Sequence, residues 1–212
     1  MVIPNGFDLK VFKPDPEARR AVRRELGIDE DAPVIGLVAR FHPQKDHANF
    51  IEAAARFHAC VPESRFVLCG ESITPDNLEL VGLIESSDIQ GQCHLLGTRE
   101  DIPRVMTAFD VATCSSSHGE AFPLVIGEAM ACGVPCVVTD VGDAATIVGG
   151  TGVVVPPRDA PLLTAAWGQL LLSTSREQRS RMGLEARQRI MDNYSLEEVA
   201  EQYERVYRSL AI

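Results

Sequence analysis

The feature that most restricts the fold of this chain is a regular alternation of short apolar runs with longer segments of helical character. The first run, APVIGLVAR at 32–40, is almost continuously apolar, as expected of a strand that is buried on both of its faces. Such runs recur at 65–70, 93–97, 110–115, 135–140 and 152–157. Strands that alternate with helices form a parallel sheet. We therefore predict an α/β domain with a Rossmann-like, six-stranded parallel sheet and helices on both faces.

The segments between and after these runs predict helices, and the first of them has clear signals at both ends. Asp15 can cap it, Pro16 suits its first position, and Gly27 can end it. Helices are predicted at 15–28, 47–61, 76–87, 100–109, 122–133, 143–148, 159–172, 175–193 and 195–210. Ahead of them, the sequence predicts a short opening strand and a Pro-Asn-Gly turn. The chain shows no internal repeat and no change of composition, so the sheet and its helices should form a single unit.

Length and charge exclude some classes of function. A chain of 212 residues, with 45% hydrophobic and 24% charged residues, has the composition of a globular domain. Its formal net charge of −10 argues against a surface for nucleic acid or anionic lipid, because those partners select basic patches. A locally basic cleft is compatible with this charge. We therefore expect no nucleic-acid partner.

The cysteines and the N-terminal residues indicate where the protein works. The six cysteines include no CxxC pair and no histidine at zinc-ligand spacing, and most of them fall in apolar runs. They are typical of reduced thiols in the core of a cytoplasmic protein. No apolar stretch reaches the ~20 residues that span a bilayer, and no signal-peptide pattern is present. The opening MVIPNGFDLKVFKPD reads like the interior of a longer protein, so we expect a fragment.

The stretch from Ser115 to Gly142 carries the main indication of function. It reads as a strand end, a polar turn, a helix that begins near Phe122–Pro123, a glycine stop at Gly133 and a second strand. The first N–H groups of a helix lack partners and carry partial positive charge, so this turn suits an anion. Glu120 lies at the start of this unit and Glu128 one or two turns further along the helix, and carboxylates accept hydrogen bonds from hydroxyl groups. A ligand that is both a phosphate and a polyol, such as a nucleotide sugar, satisfies both requirements.

Two other loops follow predicted strands and therefore lie on the same edge of the sheet. In the first loop, Arg40 and Lys45 could both point at a phosphate, although two solvated surface cations would explain them as well. In the second loop, Gly97–Arg99 could offer their backbone to the flat edge of a ligand. A capped helix start with Asp101 in its first turn accounts for the same residues. Both explanations stay open for each loop.

Glu128 and His118 differ in how well a structural role explains them. Glu128 falls in an apolar helix, where an unpaired carboxylate is costly, so a ligand-binding role explains it better. His118 lies in the polar turn and could contact a ligand, cap the helix or face solvent. No P-loop, no G-x-G-x-x-G after a strand and no G-x-S-x-G elbow occurs, so other nucleotide sites and a hydrolase triad are not indicated. No histidine has metal-ligand spacing.

The residues of the central stretch resemble a known family. The run SHGEAFPLVIGEAMACGVPCVVTDVG is similar to the Glu-x7-Glu segment of group 1 (family 4) glycosyltransferases, which are retaining enzymes of the GT-B architecture. VIPNGFDLKVFKP resembles the segment that leads into their second domain, and ARFHPQKDHANFIEAA resembles their phosphate-binding loop, with Ala39 where glycine is usual. GGTGVVVPPRD and YSLEEVAEQYERVY are similar to their closing strand and final helices. The resemblance covers the whole chain and implies the C-terminal, donor-binding half of a GT-B fold.

The resemblance implies a role for each matching residue. Arg40 and Lys45 would bind the donor diphosphate, and Glu128 would accept hydrogen bonds from the ribose. Glu120 would meet the donor sugar and the distal phosphate, and the loop 97–99 would hold the base. No metal and no other cofactor is expected, because fixed cations and a helix dipole can stabilise the departing nucleoside diphosphate. The implied binding residues are Arg40, Lys45, Gly97, Thr98, Arg99, His118, Gly119, Glu120, Ala121, Phe122 and Glu128, with Glu120, Arg40 and Lys45 also catalytic.

The resemblance also predicts the domain organisation. Residues 1–14 would lead in from a first domain, 15–194 would form the nucleotide-sugar-binding domain, and 195–212 would be a helix that packs on the first domain. That first domain, absent from this chain, would supply the acceptor site. Without it, the last helix would expose apolar residues, namely Leu196, Val199, Tyr203 and Val206.

The function that the resemblance implies is transfer of a hexosyl group from a nucleoside-diphosphate sugar to a glycan or lipid-linked acceptor, as in polysaccharide biosynthesis. The donors would be UDP or GDP sugars, and the isolated fragment would be inactive. The full-length protein would be cytoplasmic, and its missing domain could hold it at the inner face of the membrane. Two alternatives stay open: a non-catalytic GT-B module that regulates or scaffolds a partner, and one half of a sugar-nucleotide epimerase.

Overall fold

The computed structural model describes residues 2–210, and these residues form six strands and nine α-helices. The strands are β1 Val34–Val38, β2 Arg65–Cys69, β3 Cys93–Leu95, β4 Val111–Cys114, β5 Cys136–Thr139 and β6 Val153–Val155. The helices are α1 Pro16–Glu25, α2 His47–Cys60, α3 Leu78–Ser86, α4 Ile102–Thr107, α5 Leu124–Ala131, α6 Ala144–Val148, α7 Ala160–Leu171, α8 Arg176–Tyr194 and α9 Leu196–Leu210. Short 3-10 segments lie at Pro43–Lys45, Gln90–Gln92 and Gly149–Thr151.

The strands form one parallel sheet in the order β3-β2-β1-β4-β5-β6. Ile35 of β1 lies opposite Phe66 of β2 on one side and opposite Val111 of β4 on the other. The strand order reverses at β1 and β4, and a crevice forms at such a point along the carboxyl ends of the strands. The predicted fold class, a Rossmann-like parallel sheet with helices on both faces, is confirmed.

Most elements are shorter than predicted by one or two residues at each end. Strand β3 ends at Leu95, and two residues later Gly97 turns the chain with φ +63°. Helix α5 begins at Leu124, one residue after the predicted Phe122–Pro123, because Pro123 is still extended, with φ −69° and ψ 100°. The apolar pattern therefore locates each element well and its ends less well.

The N-terminal segment is held in the domain by Phe7. The predicted opening strand is wrong, because residues 2–14 contain a single bridge, between Phe7 and Ser195, and no strand. Phe7 is 3% exposed, and its N–H donates to the carbonyl of Tyr194 at 2.8 Å. The ring lies directly against Gly127 of α5, where any side chain would overlap it. The segment is thus anchored to α5 and to the end of α8.

The sheet separates two apolar layers. One layer lies under α2, α3 and α7 and contains Trp167, the only tryptophan in the sequence. Its ring is fully buried, and the rings of Phe50 and Phe66 lie 5.3 and 6.2 Å from it. The other layer lies under α1, α4, α5, α6 and α8. Here Gly36 of β1 makes room for the ring of Phe109, which a side chain at that position would overlap.

A buried ion pair joins α1 to the amino end of β4. Arg23 is 1% exposed, and its guanidinium lies 2.7 Å from the carboxylate of Asp110. It also donates to the carbonyl oxygens of Ala32 and Ala108. Burial lowers the pKa of Arg23, and the charge of Asp110 opposes that effect. These contacts tie α1 and the loop before β1 to the amino end of β4.

Helix α9 has an apolar face that is only partly covered. Val199 is buried beside Gly6, so the expectation that it would be exposed is wrong. Leu196 and Tyr203 are exposed, as predicted, and Val206 is half-buried. We find no helix within residues 2–210 that is both long enough and apolar enough to cross a bilayer.

The division of the chain into 1–14, 15–194 and 195–212 stays a prediction. Its outermost residues, Met1, Ala211 and Ile212, lie outside the described part of the chain. Within that part, the backbone of Phe7 pairs with both Tyr194 and Leu196, so the two outer segments lie side by side.

Candidate functional site

Three loops meet at the carboxyl edge of the sheet, beside the crevice between β1 and β4. They are residues 39–46 after β1, 115–123 after β4 and 140–143 after β5. The N–H of Ser117 donates to the carbonyl of Gln44 at 2.8 Å, and Nε2 of Gln44 donates to the carbonyl of Gly119 at 3.0 Å. The first two loops are therefore one connected unit, although they are far apart in sequence.

The carboxylate of Glu120 lies at the centre of this unit. Its Oε1 lies 2.5 Å from Nζ of Lys45 and accepts a hydrogen bond of 2.6 Å from the hydroxyl of Ser116. The side chains of Glu120 and Lys45 are 8% and 20% exposed. Within residues 2–210 no group donates to Oε2 of Glu120. The structure thus brings together two predicted site residues and leaves one carboxylate oxygen without a protein partner.

The turn before α5 presents unpaired backbone donors. Within the described residues, the N–H groups from His118 to Phe122 have no backbone acceptor. Gly119 has φ +72°, which glycine adopts without strain. Helix α5 starts at Leu124, so its N-terminus adds partial positive charge at the same place. Consecutive free N–H groups ahead of a helix suit an anion, and the predicted residues Gly119, Ala121 and Phe122 contribute to them.

Strand β5 and the loop after it support the turn from behind. The hydroxyl of Thr139 donates to the carbonyl of Ser116 at 2.6 Å. Gly142 has φ +58° and lies so close to the carbonyl oxygen of Glu120 that a Cβ there would overlap it. The backbone on both sides of the Glu120 side chain is therefore fixed by β5.

Glu128 lies in the second turn of α5 and is half-buried. Burial raises the pKa of its carboxyl. Its side chain makes no hydrogen bond and no ion pair with any group in residues 2–210. A carboxylate that loses water without gaining a partner is costly, and such groups concentrate at ligand sites. The geometry leaves Glu128 available to a ligand, and its role stays a prediction.

Arg40 and His118 are exposed at the same edge. In the described part of the chain, the guanidinium of Arg40 makes no ion pair and no hydrogen bond. Nδ1 of His118 lies 2.9 Å from the hydroxyl of Ser117. No side chain caps α5, so the capping role considered for His118 is wrong. Both side chains can therefore meet a ligand at the turn.

His47 begins α2 directly behind the loop after β1. Its ring is buried against Phe41, with the ring centroids 5.1 Å apart. Burial, together with the charge of Lys45, lowers the pKa of His47 to about 4. The ring is therefore neutral near pH 7, and Lys45 supplies the positive charge here.

In the loop after β3, fewer groups are free to contact a ligand than predicted. Gly97 is buried, and Thr98 is exposed. The guanidinium of Arg99 lies 2.7 Å from the carboxylates of both Asp101 and Glu25, which raise its pKa. Asp101 does not cap α4 with its side chain, so the alternative of a capped helix start is wrong. A ligand would therefore meet Thr98 and the backbone, since the Arg99 side chain is occupied.

Sequence reasoning missed three residues that shape the site: Gln44, Ser116 and Thr139. Ser116 and Thr139 are almost completely buried. For these two, the one signal available was a polar residue at or just beyond the end of an apolar strand, which suggests a hydrogen bond with a neighbouring loop. The sequence does not say which loop that is, and no signal marks Gln44.

The family of this chain follows from comparison with known proteins. Residues 18–189 match the sequence model of the family described as glycosyl transferases group 1. This range covers most of the chain, so the chain belongs to the group 1 glycosyltransferases, and the predicted family is confirmed. Alpha-maltose-1-phosphate synthase of Mycolicibacterium smegmatis is 30% identical over 223 residues, which cover 99% of this chain and 57% of that protein.

Solved structures show the same fold. HepE of Anabaena, in complex with UDP and glucose, aligns with a TM-score of 0.87 at 27% identity, over 99% of this chain and 56% of that chain. The C-terminal domain of the group 1 family protein LpcC of Francisella tularensis aligns with a TM-score of 0.76 at 25% identity, over 90% of this chain and 100% of that chain. The chain thus has the fold of one half of a GT-B glycosyltransferase. It spans about half the length of the curated relatives it matches.

Proposed function

We propose that this chain is the donor-binding part of an enzyme that transfers a hexosyl group from a nucleoside-diphosphate sugar to a glycan or lipid-linked acceptor. The observation that carries the proposal is the position of Glu120, which lies against Lys45 at a turn with unpaired N–H groups. Such a place can receive a phosphate and a hydroxylated sugar together. Membership of the group 1 glycosyltransferases supports the proposal, as does the binding of UDP by HepE.

The diphosphate binds to the positive charge at the turn. Lys45 has three donor hydrogens, so its ammonium can contact Glu120 and a phosphate oxygen at the same time. Arg40 and the N–H groups before α5 add further donors. As the bond between sugar and phosphate breaks, negative charge grows on the diphosphate, and these fixed donors stabilise it. Because they supply positive charge themselves, the proposal requires no metal ion.

The two carboxylates bind different hydroxyl groups of the donor. Oε1 of Glu120 stays bound to Lys45 and Ser116, and Oε2 accepts a hydrogen bond from a hydroxyl of the donor sugar. Glu128, further along α5, accepts hydrogen bonds from the ribose. The base lies against Thr98 and the neighbouring backbone. The half-burial of Glu128 without a protein partner supports this division of roles.

The proposed reaction exchanges one bond at the anomeric carbon of the sugar. The bond from this carbon to the diphosphate oxygen breaks, and a bond to an acceptor hydroxyl oxygen forms. The hydroxyl proton passes to the departing diphosphate. Attack on the face that the diphosphate leaves retains the anomeric configuration. The acceptor binds to a further domain in this proposal, so residues 1–212 alone bind the donor without efficient transfer.

A cytoplasmic location is part of the proposal, with the full-length enzyme at the inner face of the membrane and its product a polysaccharide or lipid-linked glycan. All six cysteines are free thiols, and four of them are buried. A reducing compartment keeps such thiols unpaired.

Calorimetric titration with UDP, GDP and ADP tests the proposal. We expect saturable binding of at least one of them, and we expect it to persist in EDTA. Glu128→Ala should weaken nucleotide binding about tenfold, the equivalent of losing a hydrogen bond to a charged group. Glu120→Ala should weaken it less, because a free nucleotide carries the ribose but lacks the hexosyl group that Glu120 is proposed to bind.

Glu85→Ala provides the matched control, because Glu85 is an exposed helical glutamate on α3, away from the carboxyl-edge loops. It should bind nucleotide like the unmodified chain. If a folded sample binds none of the three nucleotides, the proposal is wrong. If Glu120→Ala and Glu128→Ala weaken binding equally, the assignment of their roles is wrong.

A further inference from the structure

A chain of hydrogen bonds runs from β5 to the carboxylate of Glu120. The hydroxyl of Thr139, which is fully buried, donates to the carbonyl of Ser116 at 2.6 Å. The hydroxyl of Ser116, which is 1% exposed, donates to Oε1 of Glu120 at 2.6 Å. Since both hydroxyls are buried, neither is placed to contact a ligand itself. Their contacts determine where the Glu120 side chain lies.

A second contact fixes the backbone of the same residue. Gly142 lies against the carbonyl of Glu120 in a conformation, φ +58°, that residues with side chains rarely adopt. The N–H of Asp143 donates to the carbonyl of Ala121 at 2.8 Å, which holds the next residue of the turn. The loop after β5 can approach this closely because position 142 has no side chain. Both contacts thus originate at the end of β5.

We propose that Thr139 and Gly142 are positioning residues that aim the carboxylate of Glu120 at the donor sugar. This inference rests on the proposed function, in which Glu120 binds the sugar. Oε1 of Glu120 is held by Ser116 and Lys45, so these two contacts set the direction of Oε2. Thr139 in turn sets the position of Ser116. A small shift of the turn redirects Oε2, and a hydrogen bond weakens steeply as its geometry departs from the optimum.

The inference predicts a larger loss in the binding of a sugar nucleotide than in the binding of a nucleoside diphosphate. Glu128, which faces the ribose in the proposed function, is carried by α5 and not by the turn. Glu120 touches the sugar directly, whereas the diphosphate is also bound by Arg40 and Lys45, so a misdirected Glu120 should weaken a sugar nucleotide more than the nucleoside diphosphate. A general loss of structure would weaken both ligands equally.

The test compares UDP with UDP-glucose, and GDP with GDP-mannose, by calorimetry on variants of the full chain. Thr139→Val removes the hydroxyl and keeps the shape of the side chain, whereas Thr139→Ser keeps the hydroxyl. Gly142→Ala brings a methyl group against Glu120. Gly27→Ala is the matched control, because Gly27 has a similar φ of +65° and its Cβ would meet no heavy atom within 4 Å.

We expect Thr139→Val and Gly142→Ala to weaken the sugar nucleotide about tenfold and the nucleoside diphosphate by about threefold or less, because the phosphates lose only part of their contacts at the turn. Thr139→Ser and Gly27→Ala should bind both ligands as the unmodified chain does. Equal weakening of both ligands by Thr139→Val and Gly142→Ala overturns the inference, and so does the absence of any weakening.

A second measurement needs no ligand and therefore separates this inference from the proposed function. We expect hydrogen exchange of the Lys45 ammonium group, followed by NMR, to be slow while Nζ is held by Glu120. Thr139→Val and Gly142→Ala should speed this exchange, and the two control variants should not. If the chain binds no nucleotide but exchange responds, the proposed function fails and the positioning of Glu120 is supported. Exchange that is unchanged in both variants overturns the inference.

Discussion

Among single residues, Glu128 shows how a carboxylate proposed to bind a ligand can lower the stability of a fold. Its carboxyl is half-buried, and burial raises its pKa. A carboxyl whose pKa is higher in the native state than in the unfolded state destabilises the native state when it is ionised in both. The penalty is present above the raised pKa and disappears as the pH falls below the unfolded pKa. Glu128 therefore lowers stability at neutral pH.

We predict that Glu128→Gln raises the free energy of unfolding at pH 7 while it weakens nucleotide binding. The gain in stability should shrink as the pH falls through the raised pKa towards the ordinary value for glutamate. Urea denaturation at several pH values measures it. Glu85→Gln, at an exposed position of α3, should show no such pH-dependent difference. A loss of stability in Glu128→Gln at pH 7 would mean that the carboxylate has a stabilising partner.

Individual residues also show how far the sequence alone could define the site. Arg40, Lys45 and Glu120 could be placed on one edge because each follows a strand of a parallel sheet. The ion pair between Lys45 and Glu120 could not be predicted, because it joins residues 75 positions apart and depends on their side-chain conformations. The ion pair between Arg99 and Glu25 could not be predicted for the same reason, because these residues are 74 positions apart. The sequence therefore predicts which charged residues lie at the edge but not which of them form ion pairs.

At the scale of elements, α5 depends on a segment that has no regular structure. Phe7, from the N-terminal segment, belongs to the same apolar layer as α5. Its ring packs against Gly127 and lies 6.1 Å from the ring of Phe122. Gly127 immediately precedes Glu128, so Phe7 supports the part of α5 that carries the carboxylate.

We predict that Phe7→Ala lowers the free energy of unfolding by about 3–5 kcal/mol, the usual effect of truncating a buried phenylalanine. Nucleotide affinity should also fall, because α5 loses a contact beside Glu128. Val11→Ala, at an exposed position of the same segment, should change stability by less than about 0.5 kcal/mol. Urea denaturation and calorimetric titration measure the two effects. A loss under about 1 kcal/mol in Phe7→Ala would contradict a core role.

The elements themselves were predictable, and the exception is informative. Each sheet strand is an apolar run, which burial on both faces requires. The opening residues Val2–Pro4 have similar apolar character, but a strand also needs a partner for its backbone, and here Phe7 alone pairs, with Ser195. Val2 is 91% exposed, so this apolar run is neither paired nor buried. An apolar run therefore forms a strand only where a neighbouring strand pairs with its backbone.

At the scale of the whole molecule, the sheet joins two apolar layers into one core. In β1, Val34 belongs to the layer of α1 and α5, and Ile35 to the layer of α2 and α7. In β4, Ala112 and Val111 divide between the same two layers. Because each central strand contributes to both layers, neither layer can lose its structure while the other keeps its own.

We therefore predict that the two layers unfold together. Trp167 reports on one layer by its fluorescence, and far-UV circular dichroism reports on helices of both. In urea, the two signals should change at one midpoint. Phe7→Ala, which alters the other layer, should lower both midpoints equally. A Trp167 transition that does not move in Phe7→Ala would show that the layers are independent.

The overall architecture could be predicted from the residue pattern of the sequence, but the order of the strands in the sheet could not. Alternating strands and helices imply a parallel sheet, and several strand orders satisfy that alternation. The observed order places β1 beside β4 and so brings Lys45 to Glu120. The resemblance to GT-B enzymes supplied this arrangement, because it assigned both residues to one donor site.

The two strands at the borders of the sheet, β3 and β6, contain three residues each. An unpaired sheet border is where a second chain can add itself as a new strand, and long flat borders lead to aggregation. Borders this short present few free backbone groups to a second chain. The formal net charge of −10 further opposes contact between copies. The domain is thus protected against self-association through its sheet, even though its central strands are strongly apolar.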